Sequence, residues 1–265
     1  MADRAIECQR FTAASLKHRW IPFSGVVAPR HCESPYPVLT VPTWRYATAP
    51  VDAVPLAPDA THLRRAAHEL ASVAETSLLA NPHHEPQPSA HSRHRARAAA
   101  VLIAFVPRHD GLRLVLTRRQ AQLRFGGHIA LPGGHGDDAD TSPVHTALRE
   151  AEEEIGLDRS AVDVIGHLPP YFTHAGHRII GVLALLADDA RITANPAEVA
   201  DIYEVPASSV FNPDNYRLLK RSRLPYRANY LLETQGLTIS GPTLSLLIHV
   251  YDALLNTQIT ASGRP

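Results

Sequence analysis

Four of the five residues from Glu150 to Glu154 are glutamates, within the run "REAEEEIG". In a helix, Glu150 and Glu154 stand one turn apart, a like-charge spacing that is unfavourable by about 0.2–0.5 kcal/mol. On a wheel of 100° per residue, Val144, Leu148, Ala151 and Ile155 form one apolar stripe. Glu150, Glu153 and Glu154 gather on the other side, while Glu152 points away as a solvated charge. Arg149 lies one turn from Glu153 and can pin it. Taken alone, such a run reads as a solvated acidic face. Its neighbours point elsewhere. "LPGG", 131–134, comes just before, and glycines let backbone carbonyls approach a ligand closely. Asp137, Asp138 and Asp140 follow in the intervening loop. Hard oxygen ligands in this number suit Mg²⁺ or Mn²⁺, which bind substrate phosphates through carboxylates and water. Such a cation removes the repulsion and supplies Lewis acidity for phosphoryl chemistry.

Several elements must position these groups. A helix is expected over 143–155, with Ser142 as N-cap, Pro143 at the first position and Gly156 at the C-terminal cap. Before it, 98–106 reads as a buried strand, Asp110-Gly111 as a turn, and 112–119 as the returning strand. Residues 127–134 form a short strand running into a glycine turn. "VDVIGHL", "HRIIGVLALL" and "DIYEVP" read as further strands, and 240–255 as a long amphipathic helix. Strands and helices do not alternate regularly. The expected class is α+β, an α/β/α sandwich with a mixed sheet and helices on its faces.

The first 95 residues have another texture. Residues 21–58 are proline-rich, and 59–80 is helical, with Leu63, Ala66, Ala67 and Leu70 on one stripe. Residues 81–95 form a His/Pro/Ser linker whose histidines could bind a metal, although a solvated flexible segment is the favoured reading. The expected division is an N-terminal extension over 1–95 and a second domain over 96–257.

Composition limits the function. Lys+Arg and Asp+Glu are both 26, so no general nucleic-acid footprint is expected. No run approaches the roughly 18–20 apolar residues of a membrane span. The weakly basic start lacks a signal-peptide core, and a cytoplasmic location is expected. Cys8 and Cys32 are too few for a disulfide framework, in keeping with a reducing compartment.

The stretch "GGHGDDADTSPVHTALREAEEEIGL", 133–157, resembles the Nudix box. The core pattern is filled by Arg149, Glu150, Ala151, Glu152, Glu153, Glu154, Ile155, Gly156 and Leu157. Asp140 stands where the general box has its first glutamate, and Arg149 follows one residue later than usual. This is similar to the subfamily that hydrolyses coenzyme A, where an Asp-rich loop replaces that glutamate. "LTRRQAQLRFGGHIALPGG", 116–134, resembles the signature preceding the box in that subfamily, departing at Gln120, His128 and Leu131 and lacking one residue between Arg124 and Gly127. Ser240, before the last helix, sits where an aromatic is common. The resemblance covers about 97–255 and implies a Nudix hydrolase domain of Nudix-type fold over 96–257.

It implies metal-dependent hydrolysis of a pyrophosphate. For coenzyme A the products are 3′,5′-ADP and 4′-phosphopantetheine. Glu150 and Glu154 are the expected direct metal ligands, with Glu153 a further ligand or an outer support oriented by Arg149. The carbonyl of Gly134 completes the shell, as the resemblance implies. Either Glu150 or Glu198 takes the proton of the attacking water. Arg119, Arg124 and Arg178 are candidates for substrate phosphates, with surface solubility the competing reading of each. Tyr171 and Phe172 read as core more readily than as an adenine platform. Another nucleoside diphosphate derivative (NADH, ADP-ribose, a dinucleotide) is the alternative substrate. A non-catalytic Nudix-fold binding module is a further alternative, and a homodimer a possible assembly.

Overall fold

A computed structural model of the chain describes residues 39–40, 54–72, 88–173, 175–220 and 228–261. Its centre is a hairpin. Strand β2 (Arg97–Arg108) turns at His109 and Asp110 into β3 (Gly111–Arg119), with Phe105 opposite Leu114. Gly111, at φ +116°, supplies the backbone conformation that a side chain would oppose. Then come β4 (Ile129–Ala130), β5 (Gly133–His135), helix α3 (Pro143–Ile155), β6 (Val162–His167), β7 (Tyr171–Phe172), β8 (His177–Leu186) and β9 (Val199–Pro206). These strands form one eight-stranded sheet in the order β4-β3-β2-β8-β6, with β5 on β2, β7 on β8 and β9 on β3. The β2–β8 pair is parallel and the others antiparallel, so the sheet is mixed, as expected.

The faces of this sheet follow the alternation of side chains along each strand. Ala100, Leu102, Ala104, Val182 and Ala184 meet Ala147, Ala151 and Ile155 of α3. Ile103, Phe105, Leu114 and Leu183 on the opposite face meet α5 (Gly241–Ala261) and α1 (Ala60–Ser72). A second sheet lies in this same core, built from β1 (Leu39–Thr40), β10 (Tyr216–Lys220), β11 (Ala228–Thr234) and β12 (Leu237–Ile239), in the order β1-β10-β11-β12. The remaining helices are short: α2 (Ala90–His94) and α4 (Ala207–Val210).

The α+β sandwich is the architecture found. The second sheet was not foreseen, because "YRLLK" and "LTI" are too short to show a period. β9 begins at Val199, ahead of the expected start, and the last helix runs to Ala261. Helix α1 falls within the expected 59–80, of which 73–80 lie outside the described residues. Its apolar stripe, Leu63, Ala66, Ala67 and Leu70, is buried in the core shared with Phe105 and Tyr251. Arg65 Nη2 donates to the carbonyl of Thr257 in α5 at 2.9 Å. Division at residue 95 therefore does not separate α1 from the body it packs on. Within the expected linker, Ser89 caps α2, and 81–87 lie outside the described residues, as do Cys8, Cys32 and His174. Among the described residues, no helix is long and apolar enough to cross a membrane.

Leu63 is fully buried, so Leu63→Ala is expected to lower unfolding free energy by about 2–5 kcal/mol in a single cooperative transition. Urea denaturation checks this; an unshifted main transition contradicts the placement of α1. A second prediction concerns Asp252 of α5, a largely buried carboxyl pushed up to about 7 by burial alone. In the unfolded chain it loses its proton near pH 4. This group's contribution to stability is therefore fully present below about pH 4 and is lost as pH rises towards 7. Asp252→Asn is expected to be more stable than the parent at pH 8, by on the order of 1–3 kcal/mol, with the gain shrinking at pH 4. Melts of both proteins at the two pH values decide it.

Candidate active site

Helix α3 is fixed at both ends. Ser142 Oγ accepts from the His145 N–H at 3.1 Å, and Pro143 opens the first turn. Gly156 closes the helix in the left-handed region at φ +59°, donating back to the Glu152 carbonyl at 3.0 Å. With Ala151 and Ile155 held in the core, Glu150 and Glu154 project towards β5. A Cβ on Gly134 would lie 2.4 Å from a carboxylate oxygen of Glu150, so the side chain rests directly on that glycine. Gly133, at φ +148°, donates its N–H to Glu154 Oε2 at 3.1 Å. A Cβ there would meet the Ala100 carbonyl at 2.4 Å. Both glycines are needed for helix and strand to approach this closely.

Arg149 ties the cluster together. Its Nε and Nη2 donate to the two oxygens of Asp140 at 3.2 and 3.0 Å. Nη2 also reaches Glu150 Oε1 and the His135 carbonyl, each at 2.9 Å, and Nη1 reaches Glu153 Oε2 at 2.9 Å. One planar guanidinium thus joins the loop, the strand edge and the helix. The Arg149 contacts hold the Asp140 carboxyl far below the usual carboxylate range. Asp137 shapes the loop instead, donating its N–H to Asp140 Oδ2 at 2.9 Å and accepting from the Ala139 N–H at 3.0 Å.

Electrostatically the pair is short of positive charge. Burial pushes the Glu150 carboxyl up, with Arg149 opposing. Burial pushes Glu154 up to about 7, against the Gly133 N–H and Arg119, and the charges of Glu150 and Glu198 add to the rise. Arg119 Nη1 stands 3.6 Å from Glu154 Oε1, a long contact. Glu198 is half-buried just before β9, its carbonyl accepting from the Gln120 N–H at 2.8 Å, and its charge is felt by both α3 glutamates.

The three-glutamate convergence expected from the wheel narrows to two. Glu153 is half-exposed on the outer side of Arg149, and Glu152 pairs with Arg159 at 3.0 Å in solvent. Among the described residues, no three acidic, histidine or cysteine side chains are gathered as a ready-made cage. A buried and a half-buried carboxylate one turn apart, mutually repelling and facing bare glycine backbone, nevertheless fit a hard divalent cation. Mg²⁺ commonly takes one or two carboxylates and fills its shell with water and substrate phosphate. The Gly134 carbonyl lies in the ladder opposite Ala100, beside those carboxylates.

Arg119 is in the cluster, and its Nε donates to the Arg124 carbonyl at 3.2 Å. The Arg124 guanidinium lies 4.9 Å from the centre of the Phe125 ring. Arg178 is exposed near the start of β8 and, among the described residues, forms no ion pair with the glutamates. Tyr171 and Phe172 are buried in the core. Sequence reasoning missed the form of the 120–128 loop. Phe125 is left-handed at φ +62°, and a Cβ on Gly126 would strike the Ala121 carbonyl at 2.2 Å. His128 carries a buried Nε2 with no hydrogen-bond partner among the described residues. "FGG" signals a tight loop but not which residue bears the strain. Also missed was the approach of the His135 and His177 rings, 5.1 Å between centres.

A model of the NUDIX domain matches residues 94–226, about half of the chain. The chain is 37% identical over 162 residues to an uncharacterized Nudix hydrolase, NudL, of Pectobacterium atrosepticum, across 60% of this chain and 84% of that protein. It is 40% identical over 139 residues to the NudL of Photorhabdus laumondii, across 52% of this chain and 74% of that one. Among solved structures, RenU, a Nudix hydrolase from M. smegmatis, is 18% identical with a TM-score of 0.41, covering 64% of this chain and 89% of that one.

Gly134→Ala is expected to keep the fold but to displace Glu150, with loss of about 100-fold in metal-dependent hydrolysis. Circular dichroism and a turnover assay check this; an active variant contradicts the placement of Glu150.

Proposed function

We propose a reaction for this chain from the premise that it belongs to the Nudix family and is one of its hydrolases. The reaction is cleavage of the pyrophosphate bond of coenzyme A or its derivatives, giving 3′,5′-ADP and 4′-phosphopantetheine. The observation that carries the chemistry is the Glu150–Glu154 pair, half-buried and buried, resting on Gly134 and Gly133. The substrate rests on the likeness of 116–134 and of the Asp-rich loop to the coenzyme A subfamily. Its support in the fold is that Asp140 acts as a bidentate partner of Arg149 and that Arg119 belongs to the cluster.

In this reading Glu150, Glu154 and the Gly134 carbonyl hold Mg²⁺ or Mn²⁺. Bound there, such an ion supplies Lewis acidity and lowers the pKa of water. Arg149 orients Glu150 and Glu153 while drawing its own placement from Asp140. Glu150 or Glu198 accepts the proton of the attacking water. Arg119 and Arg124 take phosphate oxygens, where a guanidinium forks onto two acceptors. Arg178, the third phosphate candidate, stands apart from the cluster.

The alternative is a different nucleoside diphosphate derivative, kept alive by the departures at Gln120, His128 and Ser240. The first is structural here, since the Gln120 amide donates to the Pro196 carbonyl at 2.8 Å. The test offers coenzyme A, NADH, ADP-ribose and diadenosine polyphosphates to the purified chain with Mg²⁺ or Mn²⁺. Release of 3′,5′-ADP from coenzyme A is expected, with a loss of about 100-fold or more in Glu154→Gln. Turnover of another substrate in its place overturns the assignment, and an unimpaired Glu154→Gln overturns the chemistry.

A further inference from the structure

We infer that Arg97, His135 and His177, with Arg124 beside them, form a second anion site, which takes a phosphate monoester carried by the substrate in addition to its diphosphate. This deepens the coenzyme A reading and rests on it for the identity of that phosphate, the one on the ribose.

The register places the three residues together. Arg97 and His177 are partners in the parallel β2–β8 pair, so their side chains leave the sheet side by side on one face. His135 is the antiparallel partner of Ala99, two residues from Arg97 and therefore on that same face. Ala99 is too small to fill the space between, and the two imidazoles lean over β2 until their centres are 5.1 Å apart. His177 is held in place: its N–H donates to Thr173 Oγ1 at 3.1 Å, and Nδ1 stands 3.4 Å from the same hydroxyl. Its Nε2 has no partner among the described residues. Arg97 donates its backbone N–H to the Gly176 carbonyl at 2.9 Å, which joins the two strand ends.

Charge is the second line of argument. The formal charge of the chain is zero. Several other arginines sit against carboxylates: Arg108 on Glu204, Arg113 on Asp110, Arg149 on Asp140, Arg159 on Glu152. Arg97 and Arg124 form no ion pair among the described residues, although both are close enough to act electrostatically on His177 and His135. Arg97 and Arg124 bring positive charge to this face without an acid beside it, and an anion complements them. Guanidinium and imidazole N–H groups together match the several acceptor oxygens of a phosphate.

Location fits a single ligand. His135 follows Gly134 directly, and successive residues of a strand face opposite ways. The basic group therefore lies one residue across the edge strand from the glycine on which Glu150 rests, and Arg149 holds the His135 carbonyl at 2.9 Å. A nucleotide with its diphosphate on the glutamate side can reach around this short edge with a ribose phosphate.

Calorimetric titration of the full chain with 3′,5′-ADP and with 5′-AMP tests the site, since the two differ in that phosphate. The parent is expected to bind 3′,5′-ADP about tenfold more tightly. In Arg97→Gln and in His177→Gln, changes at exposed or half-exposed positions, the preference is expected to fall to about twofold or less. Equal binding by the parent, or a preference intact in both variants, overturns the inference. Coenzyme A turnover by the parent is measured in parallel. A preference for 3′,5′-ADP without turnover retires the coenzyme A reading and leaves the anion site standing. Turnover without the preference retires the anion site alone.

Discussion

A buried and a half-buried carboxylate one helical turn apart repel each other, and the rest of the site is built around that repulsion. Solvent does not relieve it, because Glu154 is almost fully covered and its carboxyl is pushed up to about 7. The surrounding protein answers only in part. Glu154 has one backbone N–H and a distant Arg119, and Glu150 has a share of Arg149. Arg149 itself is committed to Asp140 and Glu153 as well. Negative charge left under-compensated in a buried place is relieved by a proton or by a cation, and the raised Glu154 carboxyl shows that demand. The same shortage of positive charge makes the pair suited to hold one.

Rigidity around the pair comes from ordinary packing. The small residues Ala147 and Ala151 let α3 lie close on the sheet, and Ile155 keys its last turn into the core. On the strand side, β5 is clamped to β2 through Gly133 and Gly134, whose missing side chains set the distance at which the carboxylates meet the backbone. Asp140 then fixes the rotation of Arg149, and through it Glu150. Substitution of any of these parts moves the carboxylates without touching a substrate.

Much of this was legible in the sequence because local signals and tertiary packing agree there. Ser142, Pro143 and Gly156 bound α3 at the residues they suggest, and the Asp110-Gly111 turn closes the hairpin. The helical wheel groups Glu153 with Glu150 and Glu154, whereas in the fold it lies on the outer side of Arg149. A wheel reports angle, not which of two neighbouring acids an arginine will draw outward. Arg178 looked equivalent to Arg119, since strand alternation alone does not say which end of a strand meets a helix. The second sheet and the burial of α1 were hidden for a related reason: both depend on contacts between segments far apart in the chain. Phe125 and His128 were hidden because the conformation of a tight loop is set by its closure and not by a periodic pattern.

The central claim is that Glu150 and Glu154 together hold a divalent cation against the glycine edge of β5. Anomalous scattering from crystals of the chain grown with manganese tests it most directly. The account requires a manganese peak in contact with carboxylate oxygens of both residues, absent from Glu154→Gln crystals. A peak confined to the Asp137–Asp138 loop, or none within reach of either glutamate, contradicts it.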